Sequence, residues 1–341
     1  MFYHIKNQII TSNIKKRQSA GYDVTESECY SLSPEDDQHI NNSYFFSAHT
    51  MAGETLFVRL GLRGDGSKEV WVGYSDGNCF VENEKELYSP DETAPLKVEC
   101  IVPAKQWQIT YDGTLRDVRE QDRKTYHGTL NVEFQASAKI FDFFYDNDPT
   151  TTAHALASEK WSKQLFADIS ANNQRHYEQA GKLKGQLCID NESRNLNMVC
   201  GRDHSFGPRY WSYMNRHFWI LGIDENGCVL NISMVSYPCV DEIWTGYTTL
   251  FGQVDSIASI TNHSNMDLAG HSDGHMKLDV TLTNGRCFSL ETFRDDEAIY
   301  HFDDGSYYFS EGFGHMKVDD KIIRGTIEFS FNGDKSRWEG R

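Results

Sequence analysis

Eight Asp-Gly or Asn-Gly dipeptides divide this chain into short segments, and they constrain its fold more than any other feature. Both residues of such a dipeptide tolerate positive φ, which tight β-hairpin turns require. Most of the dipeptides lie between runs rich in β-branched and aromatic residues, at 56–62, 70–74, 107–111, 218–223, 228–235, 277–282 and 322–331. Runs of this composition are typical of strands. The pattern predicts an all-β fold of antiparallel strands.

One segment near the middle of the chain has helical periodicity instead. After Pro149, the apolar residues Leu156, Trp161, Leu165 and Ile169 recur at helical spacing. A single helix between two strand-rich halves indicates two all-β units, and 341 residues suffice for two domains. Closed barrels would leave so many strands without exposed edges. We therefore expect one antiparallel barrel over 1–149, a linker helix over 150–174 and a second barrel over 175–341.

Charge and cysteine content exclude several classes of partner. The 33 basic and 50 acidic residues give a formal charge of -17, which repels nucleic acid and anionic membrane surfaces. No apolar run is long enough to span a bilayer. Eight scattered cysteines without a Cys-x-x-Cys pair, and a start without an apolar leader, predict a reducing, cytoplasmic setting. Without a phosphate loop or zinc spacing, we expect no cofactor and no metal; the oligomeric state stays open.

The segment Gly201–Trp211, with sequence GRDHSFGPRYW, concentrates the polar chemistry of the chain. It is too polar for an ordinary core strand and too aromatic for an ordinary surface loop, a composition typical of pockets. On an extended strand, Arg202, His204 and Phe206 share one face, whereas Asp203 and Ser205 share the other. Because neighbouring strand residues diverge, Asp203, His204 and Ser205 cannot form a hydrolytic triad.

Two interpretations of this segment remain open from the residues alone. In the first, His204 and Arg202 project into a cavity, His204 serves as acid or base, and Asp203 anchors the strand by pairing with Arg209 or with the neighbouring barrel. In the second, the segment is a buried ion-pair clamp between the barrels and does no chemistry. The alternation does not decide which face meets the cavity.

The segment GRDHSFGPRYW, followed at 217–231 by HFWILGIDENGCVLN, resembles the signature of the tandem lipocalin-like superfamily, roughly G-x-R-D-H-S-W-G-x-R-D-W. That superfamily includes carotenoid 1,2-hydratases, AttH-like proteins and fungal lipocalin-like Diels-Alderases. The segments 56–60, 107–113, 176–179 and 312–315 follow in the family's order. The resemblance implies two lipocalin-like antiparallel β-barrels packed together, and we expect the second barrel to carry the motif.

Departures from the family pattern make the expected site more apolar. Phe206 stands where tryptophan is usual, and Tyr210 where a second acid is usual. The strand at 228–234 offers no carboxylate, although a hydratase needs a general acid. With His204, Asp203 and Arg202 as catalytic candidates, the expected substrate-binding residues are Phe206, Arg209, Tyr210, Trp211, His217, Trp219, Asn231, Trp244, His315 and Glu178.

The resemblance implies a cofactor-independent enzyme of the lyase or isomerase type. Such an enzyme would hold a hydrophobic isoprenoid- or polyketide-like molecule in a barrel or inter-barrel cavity and promote its cyclisation, isomerisation or hydration by acid/base catalysis. Two alternatives remain: a lipid or pigment carrier that uses the same cavity without turnover, and a carbohydrate-binding or scaffold protein.

Overall fold

A computed structural model describes residues 2–21, 28, 31–32, 37, 39–119, 124–172, 174–264 and 275–337. Within these ranges most residues lie in antiparallel β-strands. Its helices are α1 Phe2–Gln18, α2 Pro149–Ser158 and α3 Lys163–Ala171, with short 3-10 turns at Trp211–Tyr213 and Lys335–Arg337. No described helix is long and apolar enough to cross a membrane. The seven cysteines in the described ranges are all free thiols.

The first eleven strands form one sheet around the first barrel. They are β1 Ile40–His49, β2 Thr55–Arg63, β3 Lys68–Ser75, β4 Phe80–Asn83, β5 Leu87–Tyr88, β6 Leu96–Val102, β7 Gln106–Asp117, β8 Thr125–Ala136, β9 Phe141–Asp142, β10 Arg175–Ile189 and β11 Glu192–Pro208. Eight of them close a barrel in the order β11-β1-β2-β3-β4-β7-β8-β10, because β10 pairs with β11. Strands β5, β6 and β9 are side additions to β3, β7 and β10.

The last eight strands form the second closed barrel, in which sequence neighbours pair and β19 returns to β12. They are β12 Arg216–Ile223, β13 Val229–Tyr237, β14 Val240–Thr248, β15 Asp255–Asn262, β16 Lys277–Leu282, β17 Cys287–Phe302, β18 Tyr307–Val318 and β19 Lys321–Asn332. The tandem-barrel, all-β prediction is therefore confirmed.

Strand alternation gives each barrel two apolar faces. Residues such as Phe46 and Trp107 fill the interior of the first barrel, and Phe218 and Met234 fill that of the second. The outward-facing residues of the two barrels pack against one another in a third cluster. There the ring of Trp71 stacks on Tyr300 of the second barrel at 4.0 Å. These aromatic contacts do not fill the whole interface, and a cavity remains between the two barrels.

The predicted start of the second barrel at 175 is wrong. Residues 1–149 supply only six of the eight barrel strands, so the barrel closes only when β10 and β11 are added. The motif therefore lies on the last strand of the first barrel, not in the second barrel. The predicted linker helix is also two helices: Asp148 caps α2, and the Ser162 hydroxyl accepts from the Leu165 amide to begin α3.

Candidate functional site

A cavity of about 560 Å³ lies between the outer faces of the two barrels. The first barrel contributes Phe45, Trp71 and Asp203 to its wall, and the second contributes Trp219 and Glu328. The three helices cover another side with apolar residues, among them Ile10, Ile14, Leu156, Phe166 and Ile169. A cavity of this size suits a small organic molecule.

The two faces of β11 have different environments, as the alternation predicts. Asp203 and Ser205 face outward and line the cavity. Arg202, His204 and Phe206 point into the first barrel, so the expectation that His204 and Arg202 project into the cavity is wrong. The reason is that the interior provides buried polar partners for both side chains.

His204 is held on both sides by neutral groups inside the first barrel. Its Nδ1 lies 2.5 Å from the hydroxyl of Tyr177, and its Nε2 lies 2.7 Å from Oδ1 of Asn42. Burial, followed by the charge of Arg202, lowers the pKa of His204 well below its usual range. The imidazole is therefore neutral at neutral pH, and it has no contact with the cavity through which to exchange a proton with a ligand.

Arg202 forms a buried ion pair in the same interior. It donates to both carboxylate oxygens of Glu28 at 3.0 Å and to Oε1 of Gln179 at 2.7 Å. The indole of Trp107 also donates to Glu28, at 3.2 Å. The inward half of the motif thus matches the ion-pair interpretation, with the clamp inside one barrel instead of between the two.

Asp203, the outward acid, belongs to a titratable pair at the cavity wall. Burial raises the pKa of Asp203 to about 6, while His176 and Arg209 oppose that rise. Nδ1 of His176 lies 3.4 Å from Asp203 Oδ2 and 2.8 Å from the hydroxyl of Ser205. Burial disfavours the imidazolium, but Asp203 and Glu178 together raise the pKa of His176. Asp203 and His176 both line the cavity, where they can exchange a proton with a ligand.

Glu178 and Asn231 support this pair from behind the cavity wall. The buried carboxylate of Glu178 accepts from the indole of Trp219 at 2.9 Å and from the amide of Asn231 at 2.7 Å. It also lies 3.1 Å from Nε2 of His176. Neither Glu178 nor Asn231 lines the cavity, so the expectation that they bind substrate is replaced by a role in positioning His176 and Trp219.

A pair of carboxyl groups on the second barrel faces the same cavity. Glu311 on β18 and Glu328 on β19 are directly opposite in the strand register. Burial, followed by the charge of Glu328, raises the pKa of Glu311 well above its usual range. Within the described part of the chain, no donor reaches either oxygen of Glu311. His217 Nδ1 lies 2.9 Å from Glu328 Oε1. Burial and the neighbouring carboxyl group therefore favour the protonated form of Glu311, and Glu328 beside it also reaches the cavity.

Sequence reasoning missed this pair, although a signal was present. Tyr307, Phe309, Glu311 and Phe313 share one face of β18, so a carboxylate stands in an otherwise aromatic row. An acid in such a row is desolvated wherever the face is buried. The buried carboxyl group that the strand at 228–234 lacks is thus on β18.

The predicted aromatic and basic residues from Arg209 onward do reach the cavity. Arg209, Tyr210, Trp211, His217 and Trp219 all line it. Arg209 donates to Oε1 of Gln174 at 2.8 Å and lies over the ring of Trp211, 4.8 Å from its centroid. These five residues thus form an aromatic and cationic part of the cavity wall.

Three other predicted substrate-binding residues lie elsewhere. Phe206 packs beside His204 and Tyr177 inside the first barrel. Trp244 packs against the core of the second barrel, and its indole donates to Glu242. His315 stacks on Phe293 on another part of the second barrel, 3.5 Å from Asp295. None of the three lines the cavity, so the structure does not bring them together with the other predicted substrate-binding residues. The described residues contain no group of three His, Cys, Asp or Glu side chains arranged to hold a metal ion.

Comparisons with solved structures find the same fold. An AttH-like protein of Nitrosomonas europaea has a TM-score of 0.52 at 14% identity, covering 87% of this chain and 93% of that one. CghA, solved with Sch210972, has a TM-score of 0.52 at 8% identity, covering 89% and 90%. Kievitone hydratase from Nectria haematococca has a TM-score of 0.44 at 10% identity, covering 92% and 96%.

The two likenesses with TM-scores of 0.52 confirm the tandem-barrel fold that the motif predicts. A search of curated proteins finds no match. The model of the family described as "Domain of unknown function (DUF7064)" matches residues 26–333. Because that match spans most of the sequence, the chain belongs to the DUF7064 family.

Proposed function

We propose that this protein is an enzyme that binds an apolar, isoprenoid- or polyketide-like molecule between its barrels and promotes cyclisation, isomerisation or hydration by proton transfer. The observation that carries this proposal is the buried carboxyl group of Glu311, directly opposite Glu328 in the wall of an aromatic cavity. A carboxyl group kept neutral by burial and by a like charge is a general acid available at neutral pH.

The donor side of the reaction lies on the second barrel. Glu311 stores the proton, and Glu328, which is partly open to the cavity, passes it to an alkene carbon or a carbonyl oxygen of the ligand. Donation leaves two adjacent carboxylates, which is unfavourable. Nδ1 of His217 lies 2.9 Å from Glu328, where the imidazole can pass a proton back to one of the two carboxylates.

The acceptor side lies on the facing wall of the first barrel. Asp203 and His176, whose pKa values are both raised, line the same cavity. Two sets of groups with different proton affinities across one cavity can act as acid and base on two positions of a bound molecule. In a cyclisation or isomerisation Asp203 or His176 takes a proton from the ligand, and in a hydration it takes one from the water molecule that adds; a proton from solvent then restores the acid.

The shape of the cavity supplies the remaining part of catalysis. Stacked rings such as Trp71 on Tyr300 and Trp211 on Phe302 give the wall fixed, flat surfaces. Holding the reacting ends of a flexible molecule together can lower a barrier by about 7 to 11 kcal/mol in the best cases. CghA, which shares the fold, was solved with Sch210972, which supports a ligand-holding role for such a scaffold.

Turnover tests the proposal directly. The protein is incubated with isoprenoid- and polyketide-like candidates, and mass spectrometry looks for products of unchanged mass or of added water. Glu311→Gln and Glu328→Gln should each lower turnover by roughly 10²- to 10⁴-fold while the ligand still binds. Glu133→Gln, an exposed carboxylate on β8, is the matched control and should change nothing.

Two results would contradict the enzyme proposal. Ligand that binds but is recovered intact from the wild-type protein after prolonged incubation would indicate a carrier. Full turnover by the folded Glu311→Gln protein would show that the reaction takes its proton from another group.

A further inference from the structure

Arg59 is a buried cation in the cavity wall whose charge is only partly compensated. The residue is 4% exposed, and its Nη1 donates to Glu69 Oε2 at 2.6 Å. Its Nη2 has no acceptor among the described residues. Its guanidinium lies over the ring of Trp71, 4.5 Å from the centroid, so one flat face is already desolvated. A buried charged donor without an acceptor is costly, and a ligand oxygen would remove that cost.

Positive charge exceeds negative charge around this side chain. Glu69 is shared, because Arg63 also donates to it, from Nε at 2.9 Å. One carboxylate therefore serves two guanidinium groups, and Arg209 adds a third on the same cavity wall. Burial, followed by the charges of Arg59 and Arg63, lowers the pKa of Arg209 to about 9, although Asp203 and Glu69 oppose that fall. An anion bound here would offset the excess of positive charge.

The strand register fixes how far this cationic site lies from the proton-transfer groups. Asp203 pairs with Phe45, Phe45 pairs with Arg59, and Arg59 pairs with Trp71 across four neighbouring strands. All four side chains face the cavity. Asp203 and Arg59 are two strand spacings apart, roughly 10 Å. One ligand could therefore contact both, with different parts of its skeleton.

We propose that Arg59, assisted by Arg209, binds an anionic oxygen group of the ligand, a carboxylate or an ionised enol, while the apolar remainder extends to Asp203 and the Glu311–Glu328 pair. This inference rests on the proposed function and narrows its substrate class from apolar molecules to apolar acids. Arg59 acts here as a specificity-determining residue.

Two dyes with the same rings test the charge requirement. 1-Anilinonaphthalene-8-sulfonate carries an anionic group, and N-phenyl-1-naphthylamine is the same skeleton without it. Fluorescence titration of the full chain should give a dissociation constant about 10-fold or more lower for the sulfonate, as expected for one charge-assisted hydrogen bond. Added salt should weaken the binding of the sulfonate and leave the binding of the neutral dye unchanged.

Variants then assign the preference to Arg59. Arg59→Gln should bring the sulfonate to the affinity of the neutral dye, and Arg59→Lys should keep part of the preference. Arg116→Gln is the matched control, because Arg116 is also partly buried and paired, with Glu82, but lies outside the cavity lining. Unchanged binding of the neutral dye shows that each variant keeps its cavity.

The outcomes separate this inference from the proposed function. Equal affinity of the wild-type protein for both dyes, or an equal loss of both in the folded Arg59→Lys protein, would overturn the anion site and leave the apolar cavity standing. Failure of the wild-type protein to bind either dye would overturn both, since the cavity would then not accept an apolar ligand. A sulfonate preference that survives Arg59→Gln would show that another cation holds the anion.

Discussion

The protonation of Glu311 can be measured without knowledge of the substrate, through the pH dependence of stability. Burial and Glu328 raise the pKa of Glu311 well above its usual range, whereas the unfolded chain loses this proton near the ordinary value, about 4.3. Wild-type protein therefore binds one proton more when folded than when unfolded, and its free energy of unfolding falls as pH rises through that interval. Glutamine has the shape of a neutral carboxyl group but does not ionise. The free energy of unfolding of Glu311→Gln therefore lacks the fall that this residue causes in wild type.

The stability of the variant relative to wild type should therefore increase with pH. The gain is about 1.4 kcal/mol per pH unit while the folded protein keeps the proton, or about 2 kcal/mol between about pH 5.0 and 6.5. Asp203, whose pKa is also raised, is present in both proteins, so its contribution cancels to first order. While Glu311 keeps its proton, the substitution replaces one neutral group with another of similar shape.

Urea unfolding followed by tryptophan fluorescence provides the assay. Wild type, Glu311→Gln and the exposed control Glu133→Gln are unfolded at a series of pH values, and the free energies of unfolding are compared at each. The control should differ from wild type by a constant amount. A constant difference for Glu311→Gln as well would refute the reasoning, because it would mean that Glu311 ionises in the folded protein as it does in the unfolded chain.

Two further predictions concern the two faces of β11. Asp203→Asn should lower the pKa of His176, because Asp203 is one of the carboxylates that raise it; an NMR titration that finds the same imidazole pKa would contradict the pairing. His204→Gln should lower the free energy of unfolding by about 2 to 4 kcal/mol through its contacts with Tyr177 and Asn42, yet preserve dye binding and turnover in the folded fraction. Selective loss of turnover at unchanged stability would restore His204 as a catalytic residue.

The fold class could be predicted from the sequence because hairpin turns and strand alternation are local signals. Dipeptides such as Asp65-Gly66 and Asn226-Gly227 mark turns from a few residues alone. Strand pairing is not local: nothing in residues 175–208 shows that these strands close the first barrel through β1 and β8. Helix α1 was not predicted because its sequence has no single apolar stripe: Ile10 is buried, whereas Phe2, Ile5 and Ile9 are exposed.

The site was harder to predict because polarity misleads when both faces of a strand are buried. The usual expectation sends Arg202 away from a barrel interior. It points inward because Glu28 and Gln179 pair with it there, and Glu28 is 174 residues away in sequence. Alternation correctly separated Asp203 from His204, but only three-dimensional contacts could decide which of them meets the cavity. Glu311 on β18 lies about a hundred residues after the motif, and no sequence motif marks it.

The two faces of β11 contact different parts of the protein, which explains why this motif predicts a fold better than a reaction. Its inward residues, Arg202 and His204, bind partners inside one barrel, and their contacts serve barrel closure whatever the cavity holds. Its outward residue Asp203 supplies only one wall of the cavity. The facing wall, with Glu311 and Glu328, comes from a different barrel more than a hundred residues later in the chain. A chain could therefore keep the whole motif and change its chemistry by substitutions on β18 and β19 alone. Activity lost on mutating the motif is informative about chemistry only when the outward face is changed and the inward face is left intact.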